Sequence, residues 1–149
     1  MSGITADLNY LSASEALQHF SSGRLSPVEL LDAVLDQADD ITDTVNPFAD
    51  RFFEQARQNA QQSEARYLKG NPLRLDGIPL LIKDSVSIKG TRATVGSLMN
   101  ADHIDTHSDP SVERLLRAGA VVAANPAPLS RHVVSWQCPS SIFVKYCSL

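Results

Sequence analysis

The sequence predicts an α/β protein in which several helices precede part of a β-sheet. Residues 12–68 carry helix start signals followed by apolar residues at helical spacing. Beyond Leu75 the apolar residues instead form short runs bounded by turn formers, which is typical of buried strands. A strand, a loop, a helix and a second strand then follow in that order, as in an α/β unit.

The first two helices have complete start signals. The pattern of Ser12–Glu15 predicts a capping box, and Gly23 is placed to end this helix. In Leu25–Leu30 a serine cap is followed by proline and then glutamate, with leucines at both positions of a hydrophobic staple. The second helix should end at Asn46–Pro47, because proline disfavours helical backbone in the residue before it.

A third helix is predicted from about Asp50 to Leu68, and strands follow it. Gly77–Asp84 is a short apolar run that ends in a charged pair, and Pro79 restricts its position to the start or the edge of a strand. Val86–Ile88 is a second strand candidate, and residues 91–107 are expected to form a loop.

A fourth helix should begin at Asp109–Pro110. The residues expected to face inward from it are Val112, Leu115 and Leu116. Gly119 is placed to end this helix, and Ala120–Ala123 then forms a strand.

Charge and hydropathy exclude several classes of protein. The formal net charge is −4 and the pI is about 5.4, with lysines and arginines scattered singly, so no nucleic-acid partner is expected. No apolar stretch reaches the roughly 18 residues of a membrane span, so no membrane partner is expected. The N-terminus lacks the basic and apolar regions of a signal peptide, and we therefore expect a cytoplasmic location.

No metal site and no cofactor are expected. Cys138, Cys147 and His132 match no standard zinc spacing and lack a fourth ligand. His103 and His107 lie in the predicted loop rather than on one helix face, so they do not indicate a pair of metal ligands.

Lys83 has the clearest potential for chemistry. It directly follows the apolar run 78–82, so its backbone belongs to a buried strand. In one interpretation, burial favours the neutral amine, which acts as a general base or forms a Schiff base. In the other, Lys83 pairs with Asp84 or a nearby carboxylate and ends the strand. The residues alone leave both interpretations open.

Three ordered blocks resemble the amidase signature family. Leu75–Asp84 is similar to the strand that carries the catalytic lysine in that family, and Gly90–Ser97 resembles the loop that follows it. Ser108–Val122 resembles the next helix and strand, and the helical leader with Leu25–Leu31 is similar to the N-terminal part of the family. The resemblance extends from residue 1 to about residue 124.

This resemblance implies a fold, an activity and one site residue. The fold would be a mixed α/β sheet flanked by helices, of which this chain carries an incomplete N-terminal portion. Family members hydrolyse carboxylic amides with a Ser–cis-Ser–Lys triad, in which the neutral lysine takes a proton through a bridging serine and a second serine attacks the carbonyl. Lys83 then corresponds to the catalytic lysine, and the partner is a small-molecule amide substrate.

The sequence departs from the family pattern after about Ala124. The family continues to a Gly- and Ser-rich segment with both serines, and Ser140–Ser141 lacks the flanking glycines that would supply its backbone amides. We therefore divide the chain into an amidase-signature part, 1–124, and a divergent tail, 125–149, produced by truncation, frameshift or altered splicing. The isolated chain is expected to be inactive.

Two other functions stay open for this sequence. One is a non-catalytic interaction or ligand-binding module, and the other is a Schiff-base enzyme that uses Lys83. The predicted strands at 78–83 and 120–123 are apolar on both faces. Because an unpaired apolar edge is a template for intermolecular pairing, the chain is expected to self-associate through exposed apolar surface.

Overall fold

A computed structural model describes residues 8–126, without the side chains of Asp43 and Val45. It confirms the α/β class. Four α-helices and three β-strands follow in the order α1 Ala13–Ser21, α2 Pro27–Val45, β1 Phe48–Arg51, α3 Phe53–Leu68, β2 Pro79–Leu81, α4 Pro110–Arg117 and β3 Val121–Pro126, with short 3₁₀ turns at Leu8–Tyr10 and Leu98–Asn100.

The two predicted capping boxes are present. The Ser12 hydroxyl accepts from the Glu15 amide while the Glu15 carboxylate accepts from the Ser12 amide, and Ser26 and Glu29 repeat the arrangement at the start of α2. The end of α2 is also as predicted, because Asn46 adopts a left-handed conformation with φ 41°. These helices begin and end where their local sequence signals lie.

The predicted start of the third helix at Asp50 is wrong. Residues Phe48–Arg51 form β1, an outer strand that pairs antiparallel with β3, and α3 begins only at Phe53. The backbone amide of Phe52 donates to the Ala123 carbonyl at 2.8 Å. Pairing with a strand distant in sequence therefore overrides the local helical pattern.

The three strands form a mixed sheet with β3 in the centre, in the order β1-β3-β2. β2 runs parallel to β3, with Pro79 opposite Val121, and Pro79 begins its strand as expected. The predicted strand at Val86–Ile88 is wrong: the Val86 amide donates to the Lys83 carbonyl at 2.8 Å, so the chain turns there instead of extending. Ile88 is nevertheless buried.

The connection from α4 to β3 is tight. Asp109 caps α4, and Gly119 follows the helix with φ 94°, a conformation that favours glycine. The expectation that Leu116 faces inward is wrong, since it is 39% exposed. This helix has only 8 residues, and Val112 is its one fully buried side chain.

Two apolar clusters cover the two faces of β2 and β3. Alternate strand residues enter each cluster, because successive side chains of a strand point to opposite faces. One cluster contains Ala16, Phe20, Leu25, Leu30, Ile78, Leu80, Ile82, Ile88, Val112 and Ala120, and the other contains Leu31, Leu35, Ala56, Ala60, Val121 and Ala123. The carboxyl ends of β2 and β3 emerge from between these layers. No helix within residues 8–126 has the length and hydrophobicity needed to span a membrane.

Candidate active site

Lys83 lies just beyond the carboxyl end of β2. Its neighbours in the chain are tied to β3, because the Ile82 amide donates to the Ala124 carbonyl at 3.2 Å and the Asp84 amide donates to the Pro126 carbonyl at 3.3 Å. The Lys83 side chain itself is exposed. The sheet therefore fixes the backbone on both sides of Lys83 and leaves its amine accessible.

The Asp84 carboxylate is hydrogen-bonded to Thr94 and not to Lys83. This residue is 1% exposed, and its carboxylate accepts hydrogen bonds from the Thr94 amide at 3.0 Å and the Thr94 hydroxyl at 2.7 Å. Among the described residues, no carboxylate forms an ion pair with Lys83. The sequence-based alternative in which Lys83 pairs with Asp84 is not what the structure shows.

The loop 91–107, predicted as such, folds back on itself beside this strand end. The Asp105 backbone pairs with both Gly90 and Thr91, and the Ala93 amide donates to the His103 carbonyl at 3.0 Å. We call residues 82–107, which comprise this folded loop and the segment that joins it to β2, the site loop. It contains the short 3₁₀ turn at Leu98–Asn100, on which Leu98 and Met99 are almost fully exposed.

Arg92 ties the site loop to β1. Its guanidinium donates to the two carboxylate oxygens of Asp50 at 2.9 and 3.2 Å and to the Ala49 carbonyl at 3.1 Å. The hydrogen bonds to Asp50 raise the pKa of Arg92 above its ordinary value. Arg92 and Thr94 thus hold the loop to β1 and to the chain just beyond β2, the two strands that flank β3.

A shallow cleft of about 180 Å³ lies within the site loop, and all its lining residues belong to that loop. Its polar lining consists of Asp84, Ser85, Ser87, Asn100, His103 and Asp105. Lys83 is not part of this lining, as expected if neighbouring side chains leave the strand end on opposite sides. The structure therefore separates the lysine from the cleft that its neighbour Asp84 helps to form.

Sequence reasoning missed the polar network that anchors the start of β2. Asp76 is fully buried and receives hydrogen bonds from the Arg66 guanidinium at 2.5 and 2.8 Å and from the Leu73 amide at 3.0 Å. Burial alone would raise the pKa of Asp76, but the bonds from Arg66, Leu73 and Ser63 together lower it below its ordinary value. The Asp76-Gly77 pair after Pro72 indicates a turn at this position. No feature of the sequence indicates that Arg66 on α3 is the partner of Asp76.

The other residues considered for chemistry do not meet. Within residues 8–126 no three His, Cys, Asp or Glu side chains are grouped so that they could hold a metal ion. His107 contacts only the neighbouring Thr106 hydroxyl, at 3.5 Å, while His103 lies 3.4 Å from Asp105. His132, Cys138, Cys147 and Ser140–Ser141 lie outside the described residues.

Comparison with known sequences gives consistent relatives. A sequence model of the family described as Amidase matches residues 29–145. A glutamyl-tRNA(Gln) amidotransferase subunit from Roseiflexus sp. (strain RS-1) is 36% identical over 115 residues, which are 77% of this chain and 24% of that protein. The acylamidase of Rhodococcus erythropolis is 31% identical over 116 residues, again 77% of this chain and 24% of that protein. The chain thus spans about a quarter of the length of these relatives.

Solved structures agree with the sequence comparison. The crystal structure of an amidase with 28% identity superposes with a TM-score of 0.70, covering 78% of this chain and 27% of that one. Fatty acid amide hydrolase gives a TM-score of 0.77 over 85% of this chain and 23% of its own, at 21% identity, which establishes the fold alone. The described sheet and helices are therefore part of the amidase-signature fold, and the chain belongs to the amidase signature family.

Proposed function

We propose that this chain carries the lysine-bearing part of an amidase that acts on small-molecule carboxylic amides, and that Lys83 is its catalytic lysine. The observation that supports the proposal most is the position of Lys83. Its backbone is flanked by two hydrogen bonds to β3, its side chain is exposed, and the neighbouring carboxylate is engaged by Thr94. An accessible amine on a fixed backbone can reach a serine supplied by another part of the chain, as a general base must.

The chemistry follows from the family mechanism that the resemblance implies. Lys83 would accept a proton through a bridging serine while a second serine attacks the amide carbonyl. The 149 residues contain no Gly- and Ser-rich segment of the kind that supplies these serines. Because the members of a triad act as a unit, we propose that this chain alone does not hydrolyse amides.

A graft tests the role of Lys83 in an active context. Residues 8–126 replace the matching quarter of the Rhodococcus erythropolis acylamidase, and the hybrid is assayed on an aryl amide. Lys83→Ala should reduce kcat by about 100-fold or more, the usual contribution of a general base. Lys89→Ala is the matched control, because Lys89 is also exposed on the site loop but lies further along it from β2. Equal activity of the two variants, or an inactive unsubstituted graft, would contradict the proposal.

The isolated 149-residue chain gives the complementary measurement. We expect it to produce no amine from aliphatic or aryl amides above the buffer rate. Turnover that disappears in Lys83→Ala would contradict the inactivity of the isolated chain while supporting the role of the lysine. Trapping with borohydride and a simple carbonyl compound tests the Schiff-base alternative, because only an amine that forms an imine becomes labelled.

We also propose that residues 125–149 form a divergent tail. The position of the boundary is supported by the sequence change after Ala124, although β3 continues to Pro126 and the family match continues to residue 145. Sequencing the coding DNA around codon 124 distinguishes the alternatives. An alternative reading frame that encodes a Gly-Ser-Ser-Gly segment would establish a frameshift, whereas a single uninterrupted family-like frame would contradict it.

Self-association is proposed from the exposed apolar surface. β2 has a partner on one side only within residues 8–126, and Leu98, Met99 and Leu68 are each more than four-fifths exposed. Light scattering should therefore report a mass that rises with protein concentration, since apolar patches and open strand edges promote association. A constant monomer mass would contradict this part of the proposal. The cytoplasmic location and the absence of a cofactor stay predictions.

A further inference from the structure

The cleft within the site loop is acidic. Two carboxylates, from Asp84 and Asp105, contribute to its lining, and no lysine or arginine in the described part of the chain does so. The nearby Arg92 guanidinium is engaged by Asp50 and is not part of the lining. The lining therefore includes two formal negative charges, and no lysine or arginine of the described residues lies there to offset them, which favours a cationic ligand.

Asp105 is the feature that points to a ligand. It is 7% exposed, and its backbone is held on both sides, because its amide donates to Thr91 and its carbonyl accepts from Gly90. Its Oδ1 atom lies 3.4 Å from His103 Nε2, whereas its buried Oδ2 atom has no hydrogen-bond partner within residues 8–126. A buried carboxylate oxygen without a donor is unfavourable, and a ligand that supplies a donor relieves this cost.

The remaining lining residues decide the class of ligand. Both Asp84 oxygens already accept hydrogen bonds from Thr94, so Asp105 supplies the free charged acceptor. A divalent metal needs several charged or strongly polar ligands at once, and the described part of the chain offers no such group of three. Ser85, Ser87 and Asn100 can instead accept N–H donors.

We propose that this cleft binds a small primary amine in its ammonium form, with Asp105 as the main acceptor. Three N–H donors on one positive centre match a single carboxylate surrounded by neutral hydroxyl and amide groups. The volume of about 180 Å³ corresponds to about six water molecules at the density of the liquid, which is enough space for an amine of a few heavy atoms. Binding of this amine does not depend on the activity of Lys83.

The test uses the full 149-residue chain, labelled with ¹⁵N, and ethanolammonium chloride as the probe. Sodium chloride keeps the ionic strength constant during the titration. We expect saturable amide shifts at Ser85, Ser87, His103 and Asp105. Asp105→Asn should weaken the affinity by about tenfold or more, because a charge-assisted hydrogen bond is lost. Asp102→Asn is the matched control, since Asp102 is exposed on the same loop outside the cleft, and it should change the affinity less than twofold, or about 0.4 kcal/mol.

A second cation separates hydrogen bonding from charge. Tetramethylammonium has the same charge but no N–H donor, so it should leave these four amides unshifted. The proposal is overturned if no saturable shift occurs, if tetramethylammonium or Mg²⁺ binds as well as the amine, or if Asp102→Asn weakens binding as much as Asp105→Asn. If Asp105→Asn does not fold, Asn100→Ala replaces it. Retention of full affinity in that folded variant would then overturn the proposed cleft.

Discussion

The helices within residues 13–68 and the site loop at residues 82–107 are stabilised in different ways. In the helices, capping bonds join residues close in sequence, and apolar side chains such as Leu31 and Ala56 fill a buried cluster. In the site loop, polar side-chain bonds hold the chain, from Arg92 to Asp50 on β1 and from Thr94 to Asp84 at the start of the loop. We therefore expect the loop to open locally at a lower free energy than global unfolding requires.

The largest loss in the free energy of unfolding is expected from a substitution at the start of β2, where α3 contacts it. Asp76→Ala leaves the Arg66 guanidinium and the Leu73 amide without their acceptor, and breaking a buried pair costs about 3–5 kcal/mol. Urea unfolding measures this loss. Asp102→Ala, on the exposed loop surface, should change the free energy of unfolding by less than about 0.5 kcal/mol. Similar losses for both variants would mean that the Asp76 network has no special role.

Acid pH provides a second test of the same network. The pKa of Asp76 in the folded chain is below its ordinary value of 3.8, so the folded state binds fewer protons than the unfolded state in this range. The stabilisation by Asp76 is therefore complete above that ordinary value and is lost as the pH falls through the lower folded pKa. Asp109, whose pKa is lowered by hydrogen bonds from Ser111, acts in the same direction.

Urea unfolding between pH 6 and pH 3 measures this dependence. The decline below about pH 4 should be smaller in Asp76→Asn than in the unsubstituted chain, because the substituted amide does not titrate. An identical decline in both proteins would show that other groups determine the acid sensitivity.

A smaller effect is expected from a single helix cap. Ser26→Ala removes the hydroxyl that accepts from the Glu29 amide, and such a change costs about 1 kcal/mol. The free energy of global unfolding and the protection of the α2 amides from hydrogen exchange should fall by the same amount. We expect this because Leu30, Leu31 and Leu35 of α2 belong to the two apolar clusters. Ser14→Ala, at an exposed position inside α1, is the control and should be neutral within about 0.5 kcal/mol.

The smallest global effect is expected in the site loop. Thr94→Val keeps the backbone bond and the side-chain volume but leaves a buried Asp84 oxygen without its hydroxyl donor, so the local stability of the loop should fall by about 1–3 kcal/mol. Most of this loss should not reach the free energy of global unfolding, because we expect the loop to open separately. Hydrogen exchange of the Ala93 and Asp105 amides should accelerate while exchange in α2 stays unchanged. Equal acceleration in both regions would contradict a separately opening loop.

The same contrast explains which parts of the fold could be predicted from the sequence. Ser12 and Ser26 have their capping partners three residues away, so their patterns are complete in a short window. β1 was missed because its partner, β3, lies far along the chain. The strand expected at Val86–Ile88 was wrong because an apolar run cannot show whether a neighbouring strand is available.

The candidate site was predictable only in part. The strand end that bears Lys83 could be located because an apolar run precedes it. The resemblance to the family then predicted that Lys83 is the catalytic lysine. The engagement of Asp84 by Thr94 and the burial of Asp105 arise from the folding of the loop, which contains no helical or strand period to interpret. The Arg66–Asp76 pair joins a helix to a turn, so no local sequence pattern predicts that these two residues form an ion pair.

The central position of β3 also has a consequence for how the chain is made. β3 is the last described element in the sequence, yet both other strands pair with it, β1 through Phe48 opposite Pro126 and β2 through Pro79 opposite Val121. During synthesis α1, α2 and α3 can pack as they leave the ribosome, but the sheet cannot assemble until residue 121 and its successors have emerged. A nascent chain stalled before that point would expose two strands without a partner, and it is this intermediate that we expect chaperones to bind.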